Sequence, residues 1–257
     1  MTIEHEHKRI ILEEELRTLN AKKPTLKIHT VEAITLPDLW FQAVYGILDH
    51  GKRHTIDCGS FEGHTRLEYD YFIGHVVRPY DKPILPEIPE HLNIPAPVTP
   101  EYLYGGENYS RSYIEYLMTK TLAEGESYTY GQRLVEGDVN SPFDQIQHII
   151  ATYKKYGYRN NQMILQVGQP SDMKLQDPPC LRHIDTRIQD NRLHFFVYFR
   201  SWDLWSGLPA NLAAIQTLKE YMALEIGVED GEMIVESKGL HIYGHSEELA
   251  KIRTNKS

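Results

Sequence analysis

The sequence predicts an α+β fold, a sheet of mixed strand direction with helices that do not alternate regularly with its strands. Three features carry that expectation. Two alternating apolar segments meet at a two-residue turn over 184–199, a long apolar helix follows over 208–226, and neither an internal repeat nor a βαβ succession runs through the 257 residues. The length suffices for one large core, so a single domain over 1–257 is expected.

Taken in order, residues 3–20 place Ile11, Leu12, Leu16 and Leu19 at helical intervals and stop before Pro24. A stronger helix begins at Thr35, where Thr35-x-x-Asp38 fits a capping arrangement with Pro37 in the first turn. Leu39, Trp40, Ala43, Val44, Ile47 and Leu48 supply its buried face, and Gly51 marks its end. The run 66–78 reads as one strand. Seven of the 14 prolines then fall between Pro79 and Pro100, a density that forbids a regular helix or central strand. Residues 79–104 are therefore an extended excursion, either a lid or an ordered wrap over the surface.

A helix is expected over 110–123, with Tyr113, Ile114, Leu117 and Met118 on one side. Another begins with Ser141 as cap and Pro142 in the first turn and carries Ile146, Ile149, Ile150 and Tyr153 to Gly157. Residues 163–167 read as a strand before an Asp-Pro-Pro-Cys turn. The alternation Ile184, Thr186, Ile188, then Leu193, Phe195, Val197, Phe199 brackets Asp190-Asn191 as a hairpin. The 208–226 helix ends at Gly227; a last strand spans 232–243, and a charged helix closes the chain.

Composition narrows the function. Lys+Arg 27 against Asp+Glu 36 leaves a net charge of −9, without the basic stripe of a nucleic-acid binder. A pocket for a small anion needs only a few cations and stays open. Two cysteines, Cys58 and Cys180, cannot build a disulfide framework, and no Cys/His spacing suits zinc, so no metal is expected. The charged amino terminus lacks a signal-peptide core, and no stretch approaches the roughly 18 apolar residues that cross a bilayer. A cytoplasmic protein with no membrane partner is expected.

Cys180 reads either as a small buried hydrophobe or as a nucleophile. The rigid Pro178-Pro179 turn before it, and Arg182, His183 and Arg200 nearby in sequence, favour the second by offering charge to a thiolate. Cys58 reads as structural. The segment from Arg200 to Asn211 ends a strand and opens a helix, where free amides and a guanidinium can hold a phosphate. Arg200 reads equally as a surface ion pair, and Asn211 as a cap or a base-reading amide. His241 and Tyr243, two apart on a strand, point to one face, as pocket groups or as satisfied core residues. Tyr130, in Tyr128-Thr129-Tyr130-Gly131-Gln132-Arg133, is open in the same way.

Together these segments resemble the thymidylate synthase family, and most of all its short archaeal-type members. The matching pieces are Pro-Pro-Cys180, the Arg-Ser-x-Asp…Gly-Leu-Pro-x-Asn run of 200–211, and His241-Ile-Tyr243, with Tyr-Gly-Gln-Arg at 130–133 a weaker match. Their separations of 20, 11 and 30 residues agree with the family, and the resemblance spans roughly 128–245. It implies a three-layer α+β sandwich around a large mixed sheet, a homodimer paired through that sheet, a pyrimidine nucleoside monophosphate as substrate and a reduced pterin as partner. That pterin would be methylene-tetrahydrofolate or methylene-tetrahydromethanopterin.

By the same resemblance, Cys180 would add to C6 of the pyrimidine, activating C5 toward a one-carbon unit. Arg200 and Ser201 would hold the phosphate, and Asp203 and Gly207 would meet the pterin. Asn211 would read the base edge, favouring uracil, although a flipped amide could face cytosine. His241 and Tyr243 would bind the sugar 3′-hydroxyl, and Tyr130 would join the network that removes the C5 proton. The row Leu193–Phe199, if unshielded, would form the subunit interface.

Several positions depart from the family. Leu181 follows the nucleophile where the family has His, with His183 as a substitute. Arg159 is the nearest cation to the pair lent across the dimer, and Arg66 stands in for the amino-terminal phosphate arginine. Glu107 and Glu115 compete for the catalytic glutamate, neither at the usual interval from Tyr130. Sixteen residues follow His241, so the family's closing tail is expected to be absent. Reductive methylation of dUMP to dTMP is the expected reaction; the missing tail makes a 5-hydroxymethylase acting on dUMP, dCMP or CMP the alternative, or calls for a different pterin with a lid from 79–104. A non-catalytic nucleotide-binding relic is the reading from another class.

Overall fold

A computed structural model describes residues 25–57, 61–138 and 141–256; the 3–20 helix and Cys58 fall outside them. Strand β1 (Ile28–Ala33) leads into helix α1 (Leu36–His50), where Thr35 accepts a hydrogen bond from the Asp38 amide and Gly51 closes the end. The Asp38 carboxylate reaches back past Thr35 to the Ile34 amide at 2.8 Å. Next come β2 (Lys52–Thr55), β3 (Thr65–Glu68) and β4 (Tyr71–Val76).

Residues 79–104 form the ordered wrap, with a 3-10 turn at Glu90–Leu92 and α2 (Pro100–Tyr104). Its own Ile84, Leu85 and Val98 are buried. Helix α3 (Tyr113–Met118) is much shorter than expected: a Ser112/Glu115 capping box opens it, and Thr119 turns extended and returns its hydroxyl to the Glu115 carbonyl. Helix α4 (Tyr130–Glu136) precedes the small pair β5 (Gly137–Asp138) and β6 (Ser141–Pro142). That pairing occupies Ser141 and Pro142, so α5 (Gln145–Tyr156) starts later than predicted, capped by Asp144.

Beyond β7 (Ile164–Gln166), strands β8 (Leu181–Gln189) and β9 (Arg192–Phe199) form the predicted hairpin. Asp190 and Asn191 both adopt positive φ, 52° and 59°, as its two-residue turn requires. Then follow β10 (Trp202–Asp203), α6 (Gly207–Ile226), β11 (Glu229–Ser237), β12 (Leu240–Tyr243) and α7 (Gly244–Thr254).

The six-stranded sheet has the order β1-β4-β11-β9-β8-β7, with β1/β4 and β9/β11 parallel and the other neighbours antiparallel. A four-stranded sheet runs β10-β12-β3-β2. Both predicted long strands, 66–78 and 232–243, break where the chain leaves one sheet for the other. Tyr69-Asp70 makes the first corner, and Gly239, at φ +86°, lies in the second. Apolar residues persist on both sides of each corner although the buried phase shifts there, from Leu67 and Tyr69 to Phe72 and Val76 and from Met233 and Val235 to Leu240 and Ile242, which is why each run reads as one strand.

Helices α1, α5 and α6 pack against the large sheet, and α6 is buried on nearly every side, Asn211, Gln216 and Lys219 included. Outside α6 lie α2 and α3, with the proline-rich segment, giving sheet, inner helices and outer layer. Leu193, Phe195, Val197 and Phe199 are buried beneath the helices. The row is thus shielded, and the condition under which it would form a subunit interface is not met. The uncovered face carries His194, Phe196 and Tyr198, with Tyr71 donating to Glu236 beside them. Among the described residues no helix is long and apolar enough to cross a membrane.

Candidate active site

Cys180 stands at the end of the Asp-Pro-Pro turn, one residue before β8, half-buried, and its carbonyl accepts from the Arg200 amide at 2.9 Å. Arg200 closes over the turn: Nη2 donates to the Pro178 carbonyl, and Nε to that of Pro179 at 3.2 Å. Arg182 adds a weaker bond to Pro179 at 3.4 Å. The two cations thus collect on the turn that presents the sulfur. Burial nevertheless pushes the Cys180 thiol up; Arg200 and Arg182 pull it down, and Asp177 adds to the rise. The resting group is a thiol, contrary to the thiolate that the neighbouring cations suggested.

Tyrosines line the approach. The Tyr130 hydroxyl accepts from the Leu181 amide at 3.4 Å, directly beside Cys180. From it the rings of Tyr116, Tyr113, Tyr102 and Tyr109 follow with centroids 5.1–5.6 Å apart, and Tyr128 lies 6.5 Å from Tyr130. Burial pushes the hydroxyls of Tyr113, Tyr116, Tyr128 and Tyr130 well up, so they remain protonated donors. Only Tyr130 was singled out from sequence. The available signal was density, since seven of 17 tyrosines fall within 102–130.

A cleft of about 470 Å³ opens between α6 and the proline-rich segment, lined by Pro97, Tyr102, Tyr109, Asp203, Gly207 and Asn211 among others. The wrap thus walls the site as well as covering the core. Asp203 accepts from the amides of Trp205, Ser206 and Gly207 at 3.1, 3.1 and 2.9 Å, closing the start of α6 while still lining the cleft. A Cβ on Gly207 would stand 3.1 Å from the Asp203 Cβ, so a side chain there would crowd that carboxylate. Asn211 is held by the Trp202 indole, which donates to Oδ1 at 2.7 Å, and by Tyr113, whose hydroxyl accepts from Nδ2.

His241 and Tyr243 pack edge to face at 4.7 Å on β12. His241 Nδ1 bonds the Gly239 carbonyl at 2.9 Å, while its buried Nε2 has no hydrogen-bond partner among the described residues. Burial holds the imidazole below its usual range, hence neutral near pH 7. With the proton on Nδ1, Nε2 offers a lone pair, suited to a hydroxyl donor. Arg66 pairs in register with Tyr243, forms an ion pair with Glu68 at 2.7 Å, and its charge bears on His241. Tyr243 also senses the charges of Asp203 and Cys180, so these residues share one neighbourhood.

Other candidates stand elsewhere. Ser201 is half-buried next to Arg200 on the turn after β9. His183 stacks on Tyr198 at 5.5 Å on the uncovered sheet face, and so does not replace the missing histidine at the sulfur. Arg159 is exposed in the 157–163 loop near Asn161, which borders that face. Glu115 is spent in the α3 capping box and Glu107 is exposed; the carboxylate that bears on Cys180 is Asp177. Sequence reasoning missed Trp202, Tyr113 and the Arg133–Asp172–Arg182 cluster, which anchors the 169–179 loop.

A family model described as Thymidylate synthase matches residues 108–257. A Methanosarcina acetivorans protein is 28% identical over 221 residues, covering 86% of this chain and 92% of that protein. One from Methanococcoides burtonii is 29% identical over 217 residues, covering 84% and 89%. Both carry thymidylate synthase only as a provisional name.

Proposed function

The chain belongs to the thymidylate synthase family, and on that premise we propose that it methylates dUMP at C5, using a methylene-pterin as one-carbon donor. The observation that carries this reading is the half-buried Cys180 thiol set against Arg200, in a neighbourhood that also holds Asp203 and Tyr243.

C5 of uracil is a poor nucleophile until C6 is saturated. Cys180 Sγ adds to C6 after losing its proton, and the pair of electrons displaced from the C5–C6 bond makes C5 enolate-like. Arg200 and Arg182 are the groups that favour the thiolate. Arg200, with Ser201, takes the phosphate, where a planar guanidinium can bind two oxygens at once. The unpartnered His241 Nε2 accepts from the sugar 3′-hydroxyl, with Tyr243 beside it. Tyr130, next to the sulfur, joins a water network that takes the C5 proton out to solvent.

The cleft fits a flat heterocycle, with Tyr102 and Tyr109 as aromatic walls, Asp203 as an acceptor and the bare Gly207 beside it. A reduced pterin bound there, from tetrahydrofolate or tetrahydromethanopterin, supplies the one-carbon unit and the hydride. We place a second copy of the chain on the uncovered sheet face, with Arg159 offered across the contact. Light scattering on the purified protein tests the dimer, and a monodisperse monomer counts against it.

The decisive assay supplies dUMP, dCMP, UMP or CMP with methylene-tetrahydrofolate or methylene-tetrahydromethanopterin and weighs the product. Product heavier by one CH₂ supports methylation, and an added oxygen identifies a 5-hydroxymethylase. Nucleotide binding without turnover, in both the unaltered protein and Cys180→Ser, identifies a binding relic.

A further inference from the structure

Trp202 sits on β10, almost fully buried, with its ring stacked on Phe199 at 4.0 Å and 5°. Its indole nitrogen can only donate, and it donates to Asn211 Oδ1 at 2.7 Å. A carboxamide turned by 180° exchanges its oxygen and its NH₂. Turned that way, Asn211 would set an N–H against the indole N–H, two donors facing each other in a buried place. Tyr113, on the other side of the amide, imposes no such choice, because a hydroxyl accepts from NH₂ or donates to oxygen equally well. Trp202 is therefore the partner that decides which way Asn211 faces.

We propose that Trp202 is a positioning residue for base choice: by holding Asn211 Oδ1 it keeps Nδ2 toward the cleft, where an N–H meets the C4 oxygen of uracil and opposes the 4-amino group of cytosine. The inference rests on the nucleotide reading above and adds its selectivity. Tyr113 already takes one N–H of Nδ2, leaving the second for the base. The remaining Oδ1 lone pair suits N3–H of uracil, so the fixed amide offers a donor and an acceptor in the order uracil needs.

Isothermal titration of the full-length protein with dUMP and with dCMP gives the ratio of the two dissociation constants. Two variants remove the donor: Trp202→Phe, and replacement of Trp202 by β-(3-benzothienyl)alanine, which puts sulfur in place of the ring N–H and keeps the shape. The unaltered protein is expected to prefer dUMP, and both variants should lose roughly tenfold of that preference, the size of one good base-edge pair. A general packing defect weakens both nucleotides alike and leaves the ratio unmoved. If Trp202→Phe fails to fold, the benzothienyl protein decides alone. A preference for dUMP that survives loss of the N–H overturns the role of Trp202 while the nucleotide reading stands. A preference of the unaltered protein for dCMP also overturns it, and binding of neither nucleotide fells the nucleotide reading itself.

Discussion

The carboxylate of Asp172, on the loop that presents Cys180, pairs with two guanidinium groups, Arg133 of α4 and Arg182 of β8. Asp172 Oδ1 accepts from Arg133 Nη2 at 2.8 Å, and Oδ2 stands 3.5 Å from Arg182 Nη1 while accepting from the Gln169 amide at 2.7 Å. The side chain of Asp172 is 1% exposed and that of Arg133 11%, so neither regains water when the other is removed; Arg182, at 24%, can turn outward. Breaking a buried ion pair from one side costs about 3–5 kcal/mol. With one cation fully stranded and the other able to escape, Asp172→Ala should cost about 3 kcal/mol, the low end of that range. In a protein of this size that corresponds to roughly 6–12 °C in melting temperature. Asp172→Asn keeps an acceptor but not the charge and should lose about half as much, roughly 1.5 kcal/mol. Urea unfolding of the three proteins measures these losses. A cost for Asp172→Ala below about 1 kcal/mol, the level of an exposed pair, would refute the idea that this carboxylate anchors the loop.

Alkylation of Cys180 by iodoacetamide should rise with pH to an inflection above the usual thiol range; Arg200→Gln, removing the cation that lowers it, should slow the reaction at pH 8, and an unchanged rate would contradict that role. Lys219, fully buried against Asp230 at 2.9 Å, is pushed down to about 8 by burial. The unfolded lysine keeps its proton up to about 10.4, so between these values the unfolded chain binds more protons and stability rises with pH. Relative to Lys219→Met, the unaltered protein should gain roughly 2–3 kcal/mol from pH 8 to pH 10, at about 1.36 kcal/mol per unit; parallel profiles would sink the assignment. At the hairpin, Asn191 has φ 59°; Asn191→Gly should be neutral to mildly stabilising, whereas Asn191→Val should cost about 1–2 kcal/mol in thermal unfolding.

Local signals were readable in the sequence wherever neighbouring residues decide the structure. The Thr35 cap, the Asp190-Asn191 turn and the 208–226 helix ending at Gly227 depend on such neighbours. Motif spacing suggested one site for Cys180, Arg200, Asn211 and His241, and of these the structure sets Arg200 on the turn that carries Cys180. The two strand corners were not foreseen, because strand-forming apolar residues continue on both sides of each. The α3 helix stops early through a Thr119 hydroxyl bond, which no periodicity records. Tyr113 reaches Asn211 across 98 positions, and Trp202 was read as a spacer between Ser201 and Asp203. The burial that raises the Cys180 thiol comes from surrounding packing, so its charged neighbours in sequence pointed the wrong way.

Asp203 and His241 are direct neighbours across the parallel β10/β12 ladder, and His241 in turn faces Glu68 on β3. Backbone spacing across such a ladder is about 4.8 Å and scarcely adjustable. On the proposed function, with the pterin at Asp203 and the sugar at His241, the ends of two different ligands would be gauged by one rigid rung. Engineering this scaffold toward a bulkier sugar would have to trim side chains at 241 and 243, since spreading the strands for one ligand would misplace the other.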